Sequence, residues 1–187
     1  MSYDNINFPL TTDSVVLELG GYNGLWSKEI NRRYHPNLYI FEPTSSFFNN
    51  IVSIFHGQSN VKYFNFGISD KNEEKELCVR EDGSSIFNVD NRYSVETIKL
   101  RDVAEVFEHL YLKEIDVMQI NIEGSEYSVL ERMIEKDLLK DIKVLLIQFH
   151  TFVENHEMRR AIIQEKLLDT HNQTYNEDFV WEKWELQ

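Results

Sequence analysis

The order in which strand-like and helix-like patterns alternate constrains this chain more than any other feature. Short apolar runs recur at residues 14–19 (SVVLEL), 38–42 (LYIFE), 61–66 (VKYFNF), 115–122 (IDVMQINI) and 144–149 (VLLIQF). After several of them, apolar residues return at helical spacing. Leu25, Trp26 and Ile30 fall on or near one face after Gly24, in a helix that stops before Pro36. Pro43, Thr44 and Ser45 open a second helix, whose apolar face is Phe47, Phe48, Ile51, Val52 and Phe55. Val129, Leu130, Met133 and Ile134 mark another from about Ser125, and a further helix spans about 157–168. The stretch 69–100 is less regular: KELCV and VETIKL read as short strands around a loop at 82–85. Asp102 with Glu105 three residues on resembles a capping box that opens a helix through Val103, Val106, Phe107 and Leu110. The tail reads as a hairpin that packs Phe179, Trp181 and Trp184 on the sheet. Such alternation predicts an α/β fold in one domain, residues 1–187, with a mostly parallel sheet, helices on both faces and a C-terminal antiparallel hairpin.

Charge and cysteine content narrow the partners. The 32 acidic residues outnumber the 19 basic ones, for a net charge of -13. A surface of that sign repels phosphate backbones, so nucleic acid is not an expected partner. Cys78 is the only cysteine, which excludes an internal disulfide and a cysteine-rich zinc site. The N-terminus lacks the basic and long apolar regions of a signal peptide, and runs such as 144–147 are too short to span a bilayer. The expectation is a soluble, cytoplasmic protein with no membrane insertion.

In open α/β sheets, ligands bind at the carboxyl ends of the strands, where the strand order reverses. The chain places polar residues there. In LELGGYNG, Glu18 ends the first strand, Gly20 and Gly21 make the turn, and Gly24 opens the helix. The spacing is not that of a dinucleotide fingerprint, and an acid before the turn suits a ligand bearing an amino or sulfonium cation. A plain tight turn would carry the same glycines. In YIFEP, Glu42 ends the second strand about twenty residues later, where an acid can accept from both ribose hydroxyls of a nucleoside. In FNFGISD, Gly67 gives backbone access, and Ser69 or Asp70 can meet an adenine amino group. Strand alternation puts Val117, Gln119, Asn121 and Glu123 on one face, toward the crevice, and Met118, Ile120 and Ile122 on the other, toward the core.

Together, LELGGYNG, YIFEP, NFGISD, VETIKLRDV, IDVMQINIEGSEYSVLE and LLIQFH resemble an FkbM-type methyltransferase of the class I, Rossmann-like, S-adenosylmethionine-dependent fold. The resemblance runs from Val15 to about His150, and the strand-four motif is its most specific part. It implies S-adenosyl-L-methionine as cofactor and an acceptor hydroxyl on a sugar, glycan or natural product. It implies that Glu18, Gly20, Gly21, Tyr22 and Gly24 border the methionine part. Glu42, next to Pro43, would hold the ribose, and Gly67, Ile68 and Ser69 would lie near the adenine. Asn121 to Glu123 would border the methionine part and the acceptor. The chain departs from the family pattern at Tyr22, where asparagine is usual. It departs again at Gln119, Asn121 and Gln148, where lysine, aspartate and glutamate are usual. An amide at Asn121 is no base and a poor ligand for a hard cation, so no metal is expected.

Methyl transfer to a hydroxyl benefits from a nearby base. His150 is the first candidate, with Glu126 as alternate or as orienter of the acceptor, and Glu123 flanking the same Gly124. Two alternatives stand beside the hydroxyl acceptor: methylation of a nitrogen or carboxylate of a small metabolite, and an inactive nucleoside-binding homologue. Acceptor contacts are expected from residues 82–94, the N-terminal segment and the region after His150, and open sheet edges would allow a homodimer.

Overall fold

The computed structural model describes residues 7–79 and 94–187. The loop at 82–85 lies outside them, as does most of the expected acceptor-contacting stretch after it. Ten strands and five α-helices are described: β1 (Val15–Leu19), α1 (Leu25–Tyr34), β2 (Asn37–Phe41), α2 (Ser45–Phe55), β3 (Val61–Phe64), β4 (Gly67–Ser69), β5 (Glu73–Val79), β6 (Ser94–Asp102), α3 (Val103–His109), β7 (Val117–Ile120), α4 (Glu126–Glu135), β8 (Val144–Ile147), α5 (His156–Leu167), β9 (His171–Glu177) and β10 (Trp181–Leu186). Seven strands form one sheet in the order β3-β2-β1-β7-β8-β10-β9. It is parallel from β3 to β8, and antiparallel where β10 joins β8 and β9.

The apolar runs form strands because both faces of the sheet are covered, as parallel sheets require. Leu17, Leu19, Met118, Ile120, Leu145 and Ile147 pack under α3, α4 and α5. Val16, Leu38, Ile40, Val117 and Leu146 pack under α1 and α2. The expected division of β7 is revised accordingly: Val117 is as buried as Met118, and Gln119 is itself only 4% exposed. The polar face of β7 is thus a second core face that becomes a site only at its carboxyl end. α1 stops where His35 turns left-handed (φ 54°) before Pro36. Its face holds Trp26 and Ile30 but leaves Leu25 at the surface.

KELCV and VETIKL are strands, as read from sequence, and lie in β5 and β6; with β4 they form a separate, second sheet in the order β4-β6-β5. β4 and β6 pair in parallel and β5 and β6 antiparallel. Leu77, Ile98 and Leu100 form its small apolar cluster. The expected capping box is only half made. Asp102 accepts from the Ala104 N–H at 2.7 Å, but Glu105 accepts from Asn72 Nδ2 at 2.8 Å. Asn72 Oδ1 in turn takes the Asp102 N–H at 3.0 Å, in the place of a capping glutamate. His171, at the start of β9, is fully buried, with Nε2 2.8 Å from the Ile142 carbonyl.

Candidate active site

The chain builds β1, β2 and β3 outward in one direction, then returns to place β7 and β8 on the other side of β1. The strand order therefore reverses between β1 and β7, and the loops beyond their carboxyl ends part there. A cleft of about 610 Å³ opens at this point. Gly20, Tyr22, Glu42, Asn121, Glu123 and Gln148 line it from the main sheet, and Gly67, Ile68, Leu77, Ile98 and Leu100 from the second. The second sheet thus supplies an apolar wall opposite a polar one.

Eight of the residues singled out from sequence meet at this cleft: Gly20, Tyr22, Glu42, Pro43, Gly67, Ile68, Asn121 and Glu123. The others stand behind it. Glu18 is buried beneath α1 and accepts a hydrogen bond from Ser27 Oγ. Ser69 is buried in β4, its hydroxyl 3.1 Å from Asp70 Oδ1. A side chain on Gly21 would stand 2.5 Å from Ile40 Cγ2, so that glycine serves helix–strand packing. Gly20 (φ +86°) is needed for a similar reason, since a Cβ there would come 2.1 Å from the Asn121 carbonyl oxygen. Sequence reasoning missed Leu77, Ile98 and Leu100 as lining residues, because their position depends on how the second sheet docks. It treated Thr44 and Phe47 only as parts of α2, yet both also line the cleft.

Glu42 ties two loops together. Its Oε2 accepts the Tyr22 N–H and its Oε1 the Thr44 N–H, each at 2.8 Å. Burial pushes its carboxyl up to about 7, against the pull of those backbone donors and with Glu96 adding to the rise. Burial pushes Glu18 further, to about 8, opposed by the Ser27 hydroxyl and aided by the charge of Glu42. Among the described residues, Asn121 Oδ1 and Gln119 Oε1 are buried with no hydrogen-bond partner. A buried amide oxygen without a donor costs roughly 1–3 kcal/mol, and at a cleft edge it suits a ligand's N–H or O–H.

At the ends of β7 and β8 the three candidate proton-transfer residues are brought together. Glu126, fully buried at the start of α4, accepts the Gly124 N–H at 2.8 Å and the His150 N–H at 2.7 Å. The same oxygen that takes the His150 backbone lies 2.9 Å from His150 Nδ1. Tyr127 OH donates to the His150 carbonyl at 2.9 Å. The imidazole is thus held by its backbone and its ring, with Nε2 3.5 Å from Glu123 Oε2 at the cleft. Burial opposes charge on His150, but the bond to Glu126 and the charges of Glu126 and Glu123 outweigh it and raise its pKa. Burial also raises Glu123, against the pull of His150 and with Glu126 adding to the rise. Glu123 (φ 52°) and Tyr22 (φ 45°) both adopt left-handed backbone, an uncommon state for non-glycine residues that gathers at functional loops. Among the described residues no group of three or more His, Cys, Asp or Glu side chains suits a metal ion, and no helix is long and apolar enough to cross a membrane.

Solved structures share this architecture. An rRNA methylase from Streptococcus thermophilus aligns with a TM-score of 0.55 at 13% identity, over 100% of this chain and 94% of that one. Fibrillarin from Aeropyrum pernix, solved with natively bound S-adenosyl-L-methionine, aligns at 0.53 and 10% identity, over 97% of this chain and 70% of that one. TrmK from M. capricolum, in complex with S-adenosyl-homocysteine, aligns at 0.53 and 12% identity, over 96% and 65%. At such identities the likeness is one of fold. No curated protein matches the sequence. The methyltransferase FkbM domain matches residues 18–175, from the acid that ends β1 into the C-terminal hairpin, and the chain belongs to that methyltransferase family.

Proposed function

We propose that the protein is an S-adenosylmethionine-dependent methyltransferase that acts on a hydroxyl of a sugar, glycan or natural product. The observation that carries the hydroxyl acceptor is the chain Glu123–His150–Glu126, which opens on the cleft through Glu123. When bound, S-adenosylmethionine supplies a methyl group activated by its sulfonium. Glu42, which lines the cleft, would accept from the ribose hydroxyls through the lone pairs that its bonds to Tyr22 and Thr44 leave. Gly67 and Ile68 would flank the base, and Gly20, Tyr22 and Asn121 would border the methionine part, which would offer the Asn121 amide oxygen a donor.

Glu123 meets the acceptor hydroxyl and takes its proton, directly or on to His150 Nε2. Glu126 accepts from Nδ1, so that Nε2 faces Glu123, and stabilises the imidazolium, the part an aspartate plays behind a catalytic histidine. This ranking differs from the one that sequence alone suggests. His150 stands one side chain behind the cleft, and Glu123 is the group positioned to touch the acceptor. Among the described lining residues there is no lysine, arginine or histidine, which supports a neutral acceptor over a nucleic acid or a carboxylate.

The test combines calorimetry with S-adenosylmethionine and an acceptor screen that follows S-adenosylhomocysteine release. Donor binding in the micromolar range is expected, with turnover on neutral hydroxyl compounds. Glu123→Gln and His150→Ala should each slow turnover by roughly 10²–10⁴-fold, with donor affinity nearly unchanged. No binding at millimolar donor would overturn the proposal.

A further inference from the structure

We propose that Tyr127 is a positioning residue for proton transfer: its phenol holds His150 within reach of Glu123, and it serves turnover only through His150. The inference rests on the proton-transfer reading above and adds the group that sets the geometry of its second member.

The bonds to His150 are the first support. β8 ends at Ile147, so the ladder stops short of His150. Two consecutive residues of α4 hold it instead. Glu126 takes its N–H at 2.7 Å and meets its Nδ1 at 2.9 Å. Both bonds leave the peptide that follows His150 free to turn. Tyr127 OH closes that freedom by donating to the His150 carbonyl at 2.9 Å. The margin for error is small, because His150 Nε2 lies 3.5 Å from Glu123 Oε2, at the outer limit of a hydrogen bond. A misplacement of about 1 Å in a reacting group costs roughly a hundredfold in rate.

The fixity of Tyr127 itself is the second support. Its side chain is fully buried, and its ring lies 5.1 Å from that of Phe149. Arg159 of α5 covers the ring, 5.1 Å from its centroid. Arg159 is in turn held by Glu131, one turn beyond Tyr127 in α4, through two bonds of 2.8 and 2.7 Å. Burial raises the pKa of the phenol, with Glu126 and Glu182 adding to the rise against Arg160 and Arg159, so the hydroxyl stays protonated near neutral pH and keeps its role as donor. The ring is thus packed by groups that a phenylalanine would also satisfy. The hydroxyl alone reaches the proton-transfer chain, and its acceptor among the described residues is the His150 carbonyl.

Two measurements on the full chain test the assignment, with circular dichroism to establish that each variant is folded. The first needs no acceptor: the His150 ring is titrated by NMR in the parent and in Tyr127→Phe. Once the carbonyl is released, the ring should meet Glu126 less often, and its titration should move from the raised value back toward that of an ordinary histidine. The second is a double-mutant cycle in kcat, with the hydroxyl compound that the screen above returns as acceptor. Tyr127→Phe should lower kcat roughly tenfold, with donor Kd and acceptor KM nearly unchanged. In a His150→Ala background the same exchange should change kcat by less than about twofold. A residue that only supports the fold would lower kcat alike in both backgrounds. Equal losses in the two backgrounds, or an unmoved His150 titration in folded Tyr127→Phe, overturn this inference and leave the proton-transfer reading intact. Turnover that His150→Ala leaves unchanged overturns both together.

Discussion

Two ends of the sheet bury carboxylates in opposite ways. At the hairpin end, Glu182 on β10 is 2% exposed and accepts four hydrogen bonds. Its Oε1 takes Arg160 Nε at 2.6 Å and Gln164 Nε2 at 2.9 Å. Its Oε2 takes Gln173 Nε2 at 3.1 Å and Trp184 Nε1 at 2.8 Å. Arg160 also stacks over Phe179, 4.3 Å from its centroid, and pairs with Asp178. At the cleft end, Glu18 is equally buried, and its one side-chain donor among the described residues is the Ser27 hydroxyl. Gln119, with its orphaned oxygen, lies alongside. A buried charge is tolerated when each lone pair meets a donor, and is costly otherwise. The hairpin acid is a completed structural element. Glu18 is left with that single side-chain donor, beside an amide oxygen that meets none among the described residues.

The largest effect should come from breaking the completed network. Arg160→Ala leaves Glu182 buried without its cation, and a loss of about 3–5 kcal/mol in unfolding free energy is expected. Chemical denaturation measures it. A loss under about 1 kcal/mol would mean that the remaining amide and indole donors suffice, and the two ends of the sheet would not differ as argued.

Next comes pH. Glu18 has its carboxyl raised from 4.5 to about 8. Between those values the folded state holds a proton that the unfolded chain has lost, so the stability it contributes is complete below about pH 4.5 and falls as pH rises toward 8. Each unit is worth about 1.4 kcal/mol, so the decline runs to a few kcal/mol. Glu18→Gln should leave stability at pH 4.5 unchanged and raise it at pH 8, flattening the profile. Glu42→Gln should flatten the narrower window from 4.5 to about 7 but lower stability throughout, because its amide nitrogen cannot accept the Tyr22 or Thr44 N–H. Denaturation midpoints across pH read the difference, and parallel profiles for variant and parent would show that these acids are not short of donors.

The two ends also differ in how far they can be read from sequence. The cleft end is legible because its signals are local. Glu18, Gly20 and Gly24 stand within seven residues of one another, Glu42 and Pro43 are adjacent, and Glu123 to Glu126 close one strand and open one helix. In an alternating α/β chain, polar residues at strand ends point to the crevice by their position alone. What stays hidden depends on pairing between distant segments. Arg160 meets Glu182 across 22 residues, and although alternation in WEKWEL puts Glu182 on the face of Trp184, nothing local to that strand names the cation that meets it there. Leu77, Ile98 and Leu100 read as strand residues, but only the docking of the second sheet turns them toward the cleft. Glu126 can be named as a candidate from sequence. Its role in fixing His150 at both backbone and ring cannot, because that bond joins α4 to the end of β8 across 24 residues.

The smallest expected effect probes the orphaned amide. Gln119 sits between Glu18 on β1 and Leu146 on β8, in register with both, and its Oε1 has no partner among the described residues. Methionine has nearly the same length and volume and no amide to desolvate. Gln119→Met should therefore leave stability unchanged or raise it by about 1 kcal/mol, where the same exchange at a saturated position would lower it. Donor affinity separates two accounts of such a gain. If the amide oxygen is held in reserve for a ligand, the gain comes with a several-fold weaker Kd for S-adenosylmethionine, measured by calorimetry. If the amide is only an imperfectly packed core group, stability rises and Kd stays the same. A clear loss of stability would break the comparison at its cleft end, since it would mean that Gln119 is already satisfied and that Glu18 has a partner in it after all.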